Sequence, residues 1–180
     1  DPNLTYEKGL SSVTGTANDT GAGVVEVGVL LQDMSRGTTY WNALTSGWQD
    51  SVYYSTVSVN GTKPDYNWEL TTLPSFGHGS SYRVITRAID GALPALTRDL
   101  LTVNVSSRVF TYDLDNPKST VTLPVSGTYY NDSTLATISG TSYDDVSGIS
   151  NVQFAVEEVA SGKFWNNVDT FSATSNYYYD

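Results

Sequence analysis

Short apolar or alternating runs, separated by clusters of Gly, Asn, Asp and Ser, recur along the whole chain. Runs of this length between turn residues predict β-strands rather than helices. In the first two thirds of the chain the predicted strands are Val13–Thr16, Val24–Gln32, Thr38–Asn42, Val52–Val59, Trp68–Thr72, Ser81–Asp90 and Leu100–Val109. Seven such strands predict an all-β fold of two packed sheets.

The connections between these strands are predicted by their turn residues. The segment Asn18–Gly23 is expected to join the first two strands, and Asn60-Gly61 is a hairpin signal. In the strand Ser81–Asp90 the even-numbered residues share one face. Tyr82 stands at its start, where sandwich folds place the tyrosine of a corner.

The chain contains an internal repeat. The segment Leu10–Val27 aligns without a gap on Leu135–Val152. The positions with an identical or similar partner are Leu10, Val13, Gly15, Thr16, Asp19, Gly23, Val24 and Val27. After one small deletion, Tyr40-Trp41-Asn42 aligns on Phe164-Trp165-Asn166. A repeat of this length indicates two copies of one structural unit.

The repeat predicts two domains, residues 1–112 and 113–180. The segment Ser119–Pro124 is predicted to be an opening strand, and its counterpart would precede residue 1. We therefore expect the first domain to lack its first strand and the second domain to lack its last three. Sheet edges exposed in this way could be completed by neighbouring domains or identical subunits through strand exchange.

Four motifs resemble a known family: Val13-Thr-Gly-Thr-Ala-Asn-Asp19, Tyr40-Trp41-Asn42, Tyr82-Arg-Val-Ile-Thr-Arg-Ala-Ile-Asp-Gly91 and Phe110-Thr-Tyr-Asp-Leu-Asp-Asn-Pro117. They are similar to the Ig-like tandem repeats of bacterial and archaeal cell-surface proteins, such as adhesins and S-layer proteins. The resemblance implies tandem immunoglobulin-like β-sandwich domains at the extracellular cell surface. It also implies a structural, non-catalytic role in an adhesin stalk, an S-layer or an extracellular filament. The alternative is a carbohydrate-binding accessory module of a secreted enzyme, which would bind surface glycans.

Charge and composition exclude several other functions. The formal net charge is -10, and the nine Lys and Arg residues are scattered, which argues against a nucleic-acid partner. The absence of cysteine excludes disulfides and thiolate metal sites. No apolar run is long enough to suggest a membrane span.

The residue types that carry catalysis are few, so we expect no enzyme. The single histidine, His78, lies in a predicted turn between two strands and is interpreted as a solvated turn residue. The glutamates do not form a pair that faces a predicted cleft. Because Trp41-Asn42 and Trp165-Asn166 recur with the repeat, each Trp is expected to pack on its own domain, although sugar stacking is the alternative.

Acidic residues near the domain junction predict calcium binding. The linker Asp113-Leu-Asp115-Asn116-Pro117 is similar to the acidic linker that cadherins use for calcium. Loops at one end of a sandwich should bring further carboxylates together, and Ca²⁺ accepts six to eight oxygen ligands. The predicted ligands are Asp19, Asp90, Asp113, Asp115, Asn116, Asp144 and Asp145. In the alternative interpretation Asp19 and Asp144 only cap their turns.

Overall fold

The structure, a computed structural model, describes residues 5–94, 97–98, 106–166 and 170–173. The chain divides into two compact units, Asp1–Leu114 (unit 1) and Asp115–Asp180 (unit 2). The division lies two residues beyond the boundary drawn from the repeat. All regular elements in the described ranges are strands, which confirms the predicted all-β class.

Unit 1 contains eleven of these strands. They are β1 (Thr5–Glu7), β2 (Val13–Asn18), β3 (Val24–Asp33), β4 (Thr39–Asn42), β5 (Gly47–Gln49), β6 (Ser55–Val57), β7 (Val59–Thr62), β8 (Asp65–Leu70), β9 (Ser81–Asp90), β10 (Thr97–Arg98) and β11 (Ser107–Tyr112). Five more lie in the described part of unit 2. They are β12 (Lys118–Leu123), β13 (Ser139–Tyr143), β14 (Glu157–Glu158), β15 (Lys163–Trp165) and β16 (Phe171–Ala173).

Two sheets form a sandwich-like arrangement in unit 1. The larger sheet has the strand order β1-β11-β9-β3-β4-β5, with β10 paired to β9 and β6 paired to β3. The smaller sheet has the order β2-β8-β7. Its strands pair antiparallel, whereas β1 pairs parallel with β11.

Apolar side chains from both sheets form the core of unit 1. Val27 and Val29 of β3 lie in one buried cluster with Trp68 and Leu70 of β8. Trp68 and Leu70 share a face of β8, as their spacing predicted, because alternate residues of a strand point the same way. Burying apolar surface from both sheets is the main stabilising contribution to such a fold.

Aromatic rings form a second buried cluster at the start of β9. The Phe76 ring lies 4.9 Å from the Tyr82 ring and 5.5 Å from the Phe110 ring. The Tyr82 hydroxyl accepts a hydrogen bond of 2.9 Å from the backbone N–H of Gly77. A buried tyrosine that bonds to the backbone a few residues upstream is the corner arrangement expected from the sequence.

Two predictions about the middle of unit 1 are wrong. The run Val52–Val59 is not one strand: β6 pairs with β3 in the larger sheet, and β7 pairs with β8 in the smaller one. The chain changes sheets at Ser58, which an alternating pattern cannot reveal because both short strands keep the same period. The hairpin does not turn at Asn60-Gly61, since both residues lie within β7 and the turn is at Lys63-Pro64.

Three further differences concern short or terminal strands. β5 was not predicted; it extends the hairpin that begins with β4. Of the predicted strand Leu100–Val109, residues 100–105 lie outside the described residues, and β11 begins at Ser107. β1 was not predicted either; it pairs with β11, whereas β12 pairs with β13, so β1 is not the counterpart of the strand predicted at Ser119–Pro124.

Unit 2 contains two small antiparallel sheets in its described part. β12 pairs with β13, and β15 pairs with both β14 and β16. β12 is the opening strand that was predicted at Ser119–Pro124, one residue earlier at each end.

Candidate functional site

The Asp19 side chain closes the turn between β2 and β3. Its Oδ1 accepts a hydrogen bond from the N–H of Gly21 at 3.3 Å, and its Oδ2 accepts one from the N–H of Gly23 at 2.5 Å. Gly23 has a φ of 84°, which favours glycine. Both carboxylate oxygens of Asp19 therefore serve as acceptors within its own turn.

Asp90 lies at the same end of unit 1 as the Asp19 turn. Val24, the first residue of β3, pairs with Asp90, and the N–H of Gly91 donates to the carbonyl of Gly23 at 2.9 Å. The two loops are thus adjacent, as their order in a sandwich predicted. The Asp90 carboxylate accepts a hydrogen bond from the N–H of Ala92 at 3.2 Å.

Asp144 occupies the same position in unit 2 as Asp19 does in unit 1. Its Oδ1 accepts hydrogen bonds from the N–H groups of Val146, Ser147 and Gly148 at 3.2, 2.8 and 2.9 Å. Gly148, with a φ of 75°, aligns with Gly23 in the repeat. An aspartate that accepts backbone hydrogen bonds two and four residues ahead is therefore common to both units.

Two properties distinguish the Asp144 carboxylate. Desolvation raises its pKa, but hydrogen bonds from the backbone of Gly148 and Val146 and from Ser147 outweigh that effect and hold the pKa below its ordinary value. In contrast to Oδ1, the Oδ2 atom is buried and accepts no hydrogen bond from the described residues. The capping role predicted as an alternative for Asp144 is thus present at one oxygen.

Asp115 and Asp145 lie together in unit 2. Lys118 pairs with Tyr143 at the end of the β12–β13 ladder. Because the two strands are antiparallel, the residues just before β12 run beside those just after β13. The result is that a carboxylate oxygen of Asp115 lies within 4.8 Å of one of Asp145. Asn116, the adjoining linker residue, belongs to the same unit.

Asp113, the remaining predicted ligand, belongs to unit 1. Its side chain is buried, its N–H donates to the carbonyl of Glu7 at 3.0 Å, and its Oδ1 lies 3.5 Å from Nδ1 of His78. The same His78 nitrogen accepts a hydrogen bond from the N–H of Leu114 at 3.1 Å. His78 is therefore not a fully solvated turn residue, because its ring is hydrogen-bonded to the backbone that follows β11.

The two Trp-Asn pairs also recur in three dimensions. In unit 1 the rings of Trp41 and Trp48 are 5.5 Å apart at an interplanar angle of 63°. In unit 2 the rings of Trp165 and Phe171 are 5.3 Å apart at 62°. Trp41 is buried, and its Nε1 donates to the carbonyl of Thr72 at 2.8 Å, so this ring packs on its own unit as expected.

The strand pairs β3–β4 and β14–β15, whose second strands contain these Trp residues, share their register. Gln32 pairs with Tyr40 in unit 1, and Glu157 pairs with Phe164 at the aligned positions of unit 2. The internal repeat seen in the sequence thus extends to strand pairing and to ring geometry. This arrangement supplies packing contacts rather than an exposed aromatic platform at Trp41.

Sequence reasoning missed the pairing of the first and last strands of unit 1. Thr5 pairs with Phe110 and Glu7 pairs with Tyr112, both in parallel. The N–H of Gly9 adds a hydrogen bond of 3.2 Å to the Tyr112 hydroxyl. The only signal was the short polar-aromatic-polar run Thr5-Tyr6-Glu7, which is too brief to predict a strand.

Comparison with protein-family models, with curated proteins and with solved structures gave no match. In the described ranges no helix is both long and apolar enough to cross a membrane.

Proposed function

We propose that this chain is a structural, load-bearing module of an extracellular cell-surface repeat protein, built from tandem Ig-like units. Such a module serves a stalk, a surface lattice or a filament by transmitting tension along the chain. The observation that carries the proposal is the parallel pairing of β1 with β11. The recurring Asp turn and the recurring aromatic hairpin support the tandem arrangement.

Parallel terminal strands are suited to tension for a geometric reason. The chain enters unit 1 at the start of β1 and leaves it at the end of β11, which are opposite ends of the strand pair. Tension applied through the chain then acts along the strands, and the ladder hydrogen bonds share the load. In a pair that peels from one end, the bonds would break one after another. The bond from the N–H of Asp113 to the carbonyl of Glu7 lengthens the loaded ladder.

The proposal can be tested by forced unfolding of the full chain between molecular handles. The Glu7 carbonyl points toward β11, because it accepts a hydrogen bond from the N–H of Asp113. The N–H and the carbonyl of one strand residue point to the same side, so the Glu7 N–H also points toward β11. Glu7→Pro removes that donor, and we expect the unfolding force of unit 1 to fall. The release of unit 1 should add roughly 380 Å of contour length, at about 3.5 Å per residue.

The matched control is Asn60→Pro. It removes a backbone donor from β7, an edge strand that does not connect the two ends of unit 1. We expect it to lower thermal stability while leaving the unfolding force nearly unchanged. Equal loss of force in both variants would contradict the load-bearing role. Binding to immobilised polysaccharides with no effect of Glu7→Pro on force would favour the carbohydrate-binding alternative.

We also propose that unit 2 binds Ca²⁺ through Asp115 and Asp145. Two carboxylates within 4.8 Å repel each other, and a hard cation would neutralise them. The buried Oδ2 of the nearby Asp144, which accepts no hydrogen bond from the described residues, supports a positive charge in this region. Asn116 could add a carbonyl ligand. Asp19, Asp90 and Asp113 stay predictions as ligands.

Isothermal titration of the full chain with CaCl₂ tests this second proposal. We expect saturable heat that is lost in the variant Asp115→Asn/Asp145→Asn. Asp132→Asn, which neutralises an exposed aspartate in another turn of unit 2, is the control and should leave the heat unchanged. Heat that is absent from the unmodified chain, or that survives the double substitution, would contradict calcium binding at this pair.

A further inference from the structure

One edge of the smaller sheet in unit 1 has no partner strand among the described residues. β2 lies at the end of the order β2-β8-β7 and pairs only with β8. The N–H of Asp19 donates to the carbonyl of Pro64, which fixes the alternation of the ladder. The backbone groups of Thr14 and Thr16 therefore point away from β8, toward the open edge.

A groove runs along this open edge. It has a volume of about 420 Å³ and lies between β2 of the smaller sheet and β1 and β11 of the larger sheet. Its apolar lining comes from side chains that also pack in or against the core: Leu10, Val13, Trp68, Val84 and Phe110. The groove thus combines backbone groups that have no partner strand among the described residues with apolar surface at its base, which is the combination that an added β-strand requires.

Unit 2 shows what lies at the equivalent edge. β13 aligns with β2 in the repeat, and β12 pairs with β13 in antiparallel register. Thr120 lies opposite Thr141, and their hydroxyl oxygens are 2.8 Å apart. Thr141 aligns with Thr16, so unit 1 offers the same hydroxyl at the same place, on an edge that no described strand pairs with.

The side-chain pattern of β12 also matches the groove. Thr16 is exposed, whereas its neighbours Gly15 and Ala17 are partly buried on the inner face of β2. Val121 lies opposite Gly140, the residue that aligns with Gly15. A strand placed on β2 in the register of β12 would therefore point a threonine outward beside Thr16 and a valine inward beside Gly15.

From this correspondence we propose that the groove of unit 1 accepts an extended strand with the chemistry of Lys118–Leu123, the opening strand of a repeat unit. The strand pairs antiparallel with β2, its threonine bonds to the Thr16 hydroxyl, and its valine covers Trp68. The inference rests on the proposed function and deepens it, because it treats unit 1 as a copy of the repeat unit whose opening strand is β12. It is nevertheless measured by binding, independently of any unfolding force.

The test uses the full chain and a synthetic peptide with the sequence of residues 118–124. We expect saturable binding by calorimetry, a rise in the melting temperature of unit 1, and amide shifts along β2 in an NMR titration. A peptide carrying Val121→Asp should not bind, because a charge would enter the apolar base of the groove. Thr16→Val should weaken binding about 2- to 10-fold, the effect of one lost hydrogen bond.

The variant Thr16→Pro separates pairing from folding. Its missing N–H faces the open edge, where proline is tolerated, so the fold of unit 1 and its melting temperature without peptide should be retained. Peptide binding should be lost. Undiminished binding to Thr16→Pro, or equal binding of the Val121→Asp peptide, would overturn the proposal. Concentration-dependent self-association without peptide binding, abolished by Thr16→Pro, would assign the edge to a second copy of the chain and overturn it as well.

Discussion

The two units share an Asp turn and an aromatic hairpin, but they differ in how deeply their aligned apolar residues are buried. Val27 and Val29 of β3 are each 1% exposed in unit 1, whereas the aligned residues Val152 and Phe154 of unit 2 are 47% and 44% exposed. In unit 1 β8 of the smaller sheet packs against these positions, and β9 pairs with β3 beside them. In the described part of unit 2 no strand occupies either place.

This contrast separates what determines the local shape of a turn or hairpin from what makes that shape stable. The Asp turn of unit 2 accepts backbone hydrogen bonds two and four residues ahead, and its aromatic hairpin has nearly the same ring geometry as in unit 1, although the aligned apolar residues are far more exposed. Turn chemistry and cross-strand pairs therefore define the local shape. Burial is what should make that shape stable, because only the removal of apolar surface from water offsets the entropy of ordering the chain.

The largest expected difference between the units concerns apolar truncation. Leu31→Ala, at a position that is 1% exposed, should destabilise unit 1 by about 2–5 kcal/mol, because it leaves a cavity in the core. Phe154→Ala removes more atoms but should cost less than about 1 kcal/mol, since the ring is already half in solvent. Thermal and urea unfolding of the full chain would measure both. A larger loss from Phe154→Ala would show that unit 2 has a core of its own.

An intermediate effect is expected at the aligned glycines Gly15 and Gly140. A methyl group on Gly15 would collide with the Trp68 ring, and one on Gly140 would collide with the carbonyl oxygen of Thr120. Gly15→Ala should destabilise unit 1 by about 1–3 kcal/mol, and Trp68→Leu should relieve part of that cost in the double variant. The methyl group of Gly140→Ala would meet a backbone atom, so no second substitution of a side chain should restore the pairing of β12 with β13. Strictly additive costs for Gly15→Ala and Trp68→Leu would refute this explanation.

The smallest expected effect is the pH dependence of the Asp144 turn. Because the folded pKa of Asp144 is lowered, the ionised carboxylate stabilises the turn above its unfolded pKa, and the stabilisation is lost as the pH falls through the folded value. Amide exchange of Gly148 should therefore accelerate in acid. In Asp144→Asn the exchange, corrected for its intrinsic pH dependence, should no longer change over this range. An unchanged pH profile in that variant would assign the titration to another group.

Much of unit 1 could be predicted from its sequence because its long strands carry clear patterns. β3 and β9 lie where their apolar residues and flanking turns indicated, and Trp41 packs as its recurrence suggested. The change of sheet at Ser58 could not be predicted, since it alters the partner strand and not the alternation. The pairing of β1 with β11 joins residues about one hundred positions apart, and three residues carry no periodic signal for it.

For the predicted site residues, too, one part of the arrangement could be predicted from the sequence and another part could not. The loops of Asp19 and Asp90 meet because sandwich topology places them at one end, which the strand order already implied. Both carboxylates also accept hydrogen bonds from backbone N–H groups of their own turns, and the sequence left this role open as an alternative only for Asp19. The proximity of Asp115 to Asp145 follows from the β12–β13 register, which requires the structure.

The most direct test of the load-bearing claim changes only the direction of force on unit 1. The chain has no cysteine, so handles can be attached through pairs of introduced cysteines in the full chain. Handles at Thr5→Cys and Leu114→Cys pull the β1–β11 pair along its strands, whereas handles at Thr5→Cys and Ser107→Cys peel it open from one end. We expect a clearly higher rupture force for the first pair of handles than for the second. Equal forces in the two directions would contradict it.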